Sequence, residues 1–209
     1  MVQFRIMYPD LKTAEAELAI AGEMNPGPWI MHSENTARAC RLIAEKIANM
    51  NPEKAYILGL LHDIGRRIGV CQERHMVAGY QFCMDRGWDE QARICISHSF
   101  MIKDIGTALG KWDVSAEEYR LVESFLETAE YDDYDRLVQL CDSLAVATGF
   151  CLLEKRFVDV SLRYGVNDRV VDRWKAVFAL KDYFEGMIGR PVYDILPGVR
   201  ENSFSGAMV

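Results

Sequence analysis

Four histidines and two aspartates follow one another as His32, His62-Asp63, His75, His98 and Asp142, and the chain holds no other histidine. Imidazole nitrogen and carboxylate oxygen are the protein ligands of Zn, Mn and Fe ions. Two of these positions interrupt apolar runs. Residues 55–61 lead without a charge into His62-Asp63, and Asp142 lies inside the largely apolar stretch 137–146. A carboxylate in such a run is costly unless it is paired, hydrogen-bonded or metal-bound. For Asp142 alone, a buried carboxylate satisfied by an arginine or by backbone donors is an equally serviceable account.

Elements that could gather these residues are read from periodicity and punctuation. Asp10 is expected to cap a helix through Met24, which Asn25-Pro26-Gly27-Pro28 ends. The next helix is expected from Trp29 or Ser33 to Met50, its inward stripe formed by His32, Thr36, Ala39, Ile43 and Ile47. Asn51-Pro52 is a cap-and-first-residue start for a third helix reaching His62, broken by Gly65 and Gly69. Further helices are expected at 73–86 with His75 near the start, and at 89–98 with His98 at the end. Residues 99–114 read as a loop bordering the site, a candidate lid. Ser115-Ala116-Glu117-Glu118 is a capping box opening a helix to about 130. Helices at 134–150, carrying Asp142, at 151–164 and at 167–188 complete an all-α reading with no β-rich alternating segment. Adjacent residues on a helix diverge by about 100°. His62 and Asp63 can therefore share one ion only where the helix stops.

Composition bounds the rest. The 209 residues are half hydrophobic and about a quarter charged, with a net charge of −7. This suits one globular domain, expected over 1–198 with the motif region at 29–150, and a flexible tail at 199–209. The negative balance argues against coating nucleic acid. A small phosphorylated substrate is compatible with it, because local arginines decide that binding. None of the six cysteines, Cys40, Cys71, Cys83, Cys95, Cys141 and Cys151, forms a CxxC pair. They are expected to be reduced core residues. The start Met1-Val2-Gln3-Phe4-Arg5 lacks a signal-peptide stretch, and no run is long enough to span a membrane. A cytoplasmic location without membrane partners is expected, and a homo-oligomer is compatible with the composition. On the ninth helix, the charges, Arg173 among them, read as a solvated face. Its aromatics Trp174, Phe178, Tyr183 and Phe184 read as core.

The ordered set His…His-Asp…His…His…Asp, with Leu60-Leu61-His62-Asp63-Ile64-Gly65-Arg66 around its centre, resembles the HD superfamily of metal-dependent phosphohydrolases. The resemblance covers residues 32–142, about half the chain. It implies a helical bundle around a metal site, with His32, His62, Asp63 and Asp142 on a first ion. His75 and His98 would hold a second ion opposite a bridging Asp63. The implied cofactors are two divalent ions, Fe, Mn or similar. The implied reaction is cleavage of a phosphoester or phosphoanhydride of a nucleotide or related phosphorylated metabolite by a metal-activated hydroxide. Asp63 and Arg66 are the implied catalytic residues. Many members carry Lys where Arg66 stands, and Arg66 would hold the substrate phosphate through a bidentate fork. The alternative for Arg66 and Arg67 is capping of helix-end carbonyls or exposure to solvent. Lys103 in the loop is a weaker candidate for the phosphate. The symmetrical dinucleoside-tetraphosphate hydrolases share the six-residue plan and a similar size, whereas the HD-GYP pattern is absent. Some HD-fold proteins use the same six ligands for a di-iron centre that oxidises a C–H bond with O₂. A non-catalytic nucleotide-sensing module is the third reading.

Overall fold

The computed structural model describes residues 7–204. The segment at 1–5 read for a signal peptide, and residues 205–209 of the expected tail, lie outside the described residues. The described chain is all-α apart from one small hairpin. Its helices are α1 (Leu11–Met24), α2 (Trp29–Ala44), α3 (Pro52–Leu60), α4 (Arg74–Met84), α5 (Asp89–Ser97), α6 (Ala116–Thr128), α7 (Asp133–Leu144), α8 (Leu153–Tyr164), α9 (Val170–Ile188) and α10 (Val199–Phe204). No helix among the described residues is long and apolar enough to cross a membrane.

The helix starts follow the local chemistry. The Asp10 carboxylate accepts from Thr13 N at 2.9 Å, and the Asn51 side chain accepts from the backbone of Glu53 and Lys54. Ser115 and Glu118 form the expected capping box, and Asp132 with Asp135 forms a second one at α7. Each satisfies amides that a helix leaves without partners.

Two helices end earlier than their periodicity suggests. After Ala44 the chain tightens into three-residue bonds, Lys46 N to Ile43 O and Ile47 N to Ala44 O, so α2 stops short of Met50. α7 gives way at Ala145 to a hairpin pairing β1 (Ala145–Val146) with β2 (Gly149–Phe150), where a helix was expected to continue to Phe150. Gly149 takes φ +135°, open to glycine but rarely to other residues. Within the expected tail, residues 199–204 form α10. Asn202 donates to Phe150 O and accepts from Thr148 Oγ1, and Ser203 Oγ accepts from Leu152 N.

α2 lies at the centre, packed on α3 and α7, while α4 pairs with α5. Its stripe is buried as expected, with Ala39 and Ile43 fully enclosed. A core formed by α2, α7 and α9 is sealed by Val192, Leu196 and Val199, and a second core joins α1, α3 and α5. Phe184 is buried, and Trp174 and Phe178 pack on that first core. Tyr183 is instead exposed and donates to Asp133. All six cysteines are free, five of them buried, with Cys71 partly exposed.

Candidate metal centre

All six singled-out side chains converge. His32 comes from the first turn of α2, and His75 from the first turn of α4. His98 is the residue capping α5, and Asp142 lies in the last turn of α7. His62 and Asp63 sit just beyond α3, where Leu61 (φ −104°, ψ 10°) and Asp63 (φ −102°, ψ 14°) have left helical geometry. That departure lets two neighbouring side chains face one point.

The 3-10 turn Ile64–Ile68 carries the chain onward against α4. A Cβ on Gly65 would stand 1.9 Å from His75 O and 2.4 Å from Gly79 N. Only glycine allows this approach, which brings α4 and its histidine up to the turn carrying Asp63.

Two triads result, His32/His62/Asp63 and Asp63/His75/His98, each with ligand atoms within 4.8 Å of one another. Asp63 belongs to both. Its Oδ1 lies 3.2 Å from His75 Nε2 and 3.7 Å from His98 Nε2, and its Oδ2 lies 3.9 Å from His62 Nε2. Asp142 Oδ1 approaches His32 Nε2 at 2.9 Å and His62 Nε2 at 3.9 Å.

Three histidines are oriented from behind. Nδ1 of His62 donates to Gly59 O at 2.7 Å, Nδ1 of His98 to Ile94 O at 3.1 Å, and Nδ1 of His75 to Gln72 O. Each bond fixes the tautomer that leaves an Nε2 lone pair aimed inward, as a ligating imidazole requires. Burial pushes His75 down to about 4, with Arg66 adding to the effect, and it pushes His98 down to about 3. Burial also lowers His32, against the pull of Asp142. His32, His75 and His98 are therefore neutral near pH 7.

Burial works against ionisation of both carboxyls and loses. Arg66 and the surrounding histidines hold Asp63 well below the usual carboxylate range, and the hydrogen bond from His32 does so for Asp142. His62 Nε2 and Asp63 Oδ1 are buried without any hydrogen-bond partner among the described residues. Two such orphans side by side carry a desolvation cost that a divalent cation would remove, since both atoms are its natural donors. The residues present fit divalent metal binding.

The centre opens on a cavity of about 630 Å³ with a basic wall. Arg66 lines it while donating through Nε to Asp63 Oδ2 at 2.6 Å. Arg67 is turned elsewhere, onto Glu17 at 3.1 Å and the Phe82 ring. Lys103 does not reach the cavity; it donates to Ala129 O at 3.0 Å. The loop beyond Ser99 does contribute, through Ala108, Leu109 and Gly110.

Sequence reasoning missed the cations from the last third of the chain. Lys155, Arg156 and Arg163 of α8 and Arg173 of α9 all line the cavity. Arg173, expected on a solvated face, is partly buried and donates to Ser99 O at 2.6 Å. Arg156 stands 3.6 Å from Asp142 Oδ1. The seven-residue interval between Arg156 and Arg163 puts them on one helix face, but nothing local to α8 says that this face meets the centre.

The HD domain family model matches residues 29–147, a stretch that contains all six of these side chains. No curated protein and no solved structure matches the chain.

Proposed function

The chain belongs to the HD domain family, and from that premise we propose that it is a metal-dependent phosphohydrolase acting on a nucleotide or related small phosphorylated metabolite. The observation that carries this reading is the sharing of Asp63 between two ligand triads beside a cavity walled by arginines. His32, His62, Asp63 and Asp142 would hold one divalent ion, and Asp63, His75 and His98 a second. When bound, such ions supply Lewis-acid polarisation of phosphoryl oxygens and lower the pKa of a water.

The chain's own residues do the remaining work. Arg66 keeps Asp63 ionised and fixes its rotamer through the Nε bond to Oδ2. The bonds from Nδ1 to Gly59, Gln72 and Ile94 carbonyls hold three rings so that no proton occupies the inward nitrogen. The cations lining the cavity, Arg66 among them, put positive charge on that side of the centre, where it counters the charge of a phosphorylated substrate in an in-line displacement. No side chain in this arrangement is required as a covalent nucleophile.

The di-iron oxygenase reading uses the same six ligands, and the basic wall is what favours phosphate over it. The test is phosphate release across a nucleotide and dinucleotide panel with added Mn²⁺, beside Asp63→Ala. Turnover by the wild type that disappears in the variant, together with loss of bound metal, is expected. A panel silent with metal-loaded protein, or full metal content and hydrolysis in Asp63→Ala, overturns the proposal. In the first case O₂ consumption by iron-loaded protein is the next measurement.

A further inference from the structure

The cations of α8 and α9 outnumber what one phosphate at the centre needs. Arg66 and Arg156 already flank the two carboxylates, at Asp63 and Asp142 respectively. Arg163 lies seven residues beyond Arg156, which sets their backbones about 10 Å apart along the helix axis. Arg173 enters from α9, tied to Ser99, whose hydroxyl is 3.1 Å from His98 Nε2. The positive field is thus elongated along α8, and Arg156, Arg163 and Arg173 all line the same cavity as the centre.

The two arginines of α8 are also poorly satisfied by the protein. Arg156 makes no side-chain hydrogen bond among the described residues and has only the 3.6 Å approach to Asp142. Arg163 donates only through Nε, to Asp159 O at 3.3 Å, and leaves both terminal nitrogens unengaged by hydrogen bonds. The neighbouring carboxylate, Asp159, is paired with Lys155 at 2.7 Å. Burial and the proximity of Arg156 both act against the charge of Arg163. Guanidinium groups that line one cavity and keep terminal nitrogens without hydrogen bonds, as Arg156 and Arg163 do, are arranged for an anion from outside, and their planar forks suit phosphate oxygens.

We infer that Arg156, Arg163 and Arg173 form a second anion subsite, which holds the non-reacting phosphate of a substrate with two linked phosphoryl groups. The inference rests on the phosphohydrolase reading for its first phosphate, and narrows the substrate class to diphosphates and longer phosphoanhydrides. All three residues lie outside the matched stretch 29–147, so this chain's C-terminal helices set the selectivity.

The test is calorimetric titration of the full chain with methylenediphosphonate, a diphosphate analogue with no hydrolysable bridge, and with inorganic phosphate. The wild type is expected to bind the diphosphonate at least tenfold more tightly than phosphate. Arg163→Ala is expected to lose that preference while keeping its melting temperature, and Arg163→Lys to restore part of it. Equal affinity for the two anions in the wild type, or an undiminished preference in folded Arg163→Ala, overturns the subsite. Failure of the hydrolase reading looks different: diphosphonate preference that depends on Arg163, with no hydrolysis of any phosphorylated compound. Conversely, hydrolysis of monophosphate esters with unchanged kcat/KM in Arg163→Ala, and no diphosphonate preference, removes the subsite and keeps the hydrolase.

Discussion

Arg66 Nε donates to Asp63 Oδ2 at 2.6 Å, while Oδ1 of the same carboxylate stays buried and without a hydrogen-bond partner. The guanidinium thereby fixes the carboxylate through one oxygen, and the other has no hydrogen bond to satisfy it. Arg66 acts on the carboxylate that the two triads share. Arg66→Ala should lower metal affinity by about 10- to 100-fold, the range for loss of a group that orients a ligand. Metal titration monitored by calorimetry measures this, and an unchanged affinity would falsify the orienting role.

Gly65→Ala should be among the most damaging single-methyl additions in the chain. Its Cβ would be driven into His75 O and Gly79 N, both backbone atoms that cannot turn aside. A loss of at least about 3 kcal/mol is expected, at the upper end for overpacking. Thermal melting reads the loss, and a wild-type melting temperature would mean that the turn and α4 are free to separate.

Metal-free protein should lose stability on acidification. His75 and His98 titrate near 4 and 3 in the folded chain, against about 6.5 when unfolded. Below about pH 6.5 the unfolded state therefore takes up protons that the folded state refuses. Stability then falls by up to about 1.4 kcal/mol per pH unit per histidine until the folded values are reached. Asp135, raised by burial to about 6 against the pull of Arg93, gains stability over part of the same interval and offsets one histidine. Denaturant melts at pH 7, 6 and 5 with chelator present should show a net decline; a flat profile counts against buried neutral rings.

Arg93→Ala should destabilise the junction of α5 and α7. Arg93 lies 2.9 Å from Asp135 Oδ2 and 2.6 Å from Asp132 Oδ2, and Asp135 is completely buried. Removing the guanidinium leaves that carboxylate uncompensated, at a cost of about 3–5 kcal/mol. The deficit should shrink as the pH falls toward about 6, because without Arg93 the buried Asp135 takes up its proton at a higher pH than in the wild type. Equal melting temperatures for variant and wild type at pH 7 would overturn this account.

The ligand types were legible because they obey local rules. His32 heads an apolar stripe, and His62-Asp63 ends an apolar run at a helix terminus. Asp142 is an acid inside a buried stretch. The breaks at Ala44 and Ala145 were not legible, since periodic apolar residues continue past both and tertiary packing takes up the later ones, Ile47 and Phe150, in other conformations. Arg156, Arg163 and Arg173 escaped for a different reason. A cation on a helix face has the same sequence signature whether it meets water or a cavity, and only the docking of α8 and α9 distinguishes the two. Lys103 failed in the opposite sense: its loop borders the cavity, but its own reach is to Ala129.

The contacts made by residues 192–203 bear on how this protein is born. Val192, Leu196 and Val199 complete the core between α2 and α7, and Asn202 and Ser203 fasten the hairpin that follows Asp142. During synthesis the six clustered histidines and aspartates emerge from the ribosome well before these do. The nascent chain thus exposes a cluster of histidines and aspartates whose scaffold is unfinished. The scaffold of the centre is complete only once residues 192–203 have packed, and an ion captured earlier would be held by a partly assembled cage.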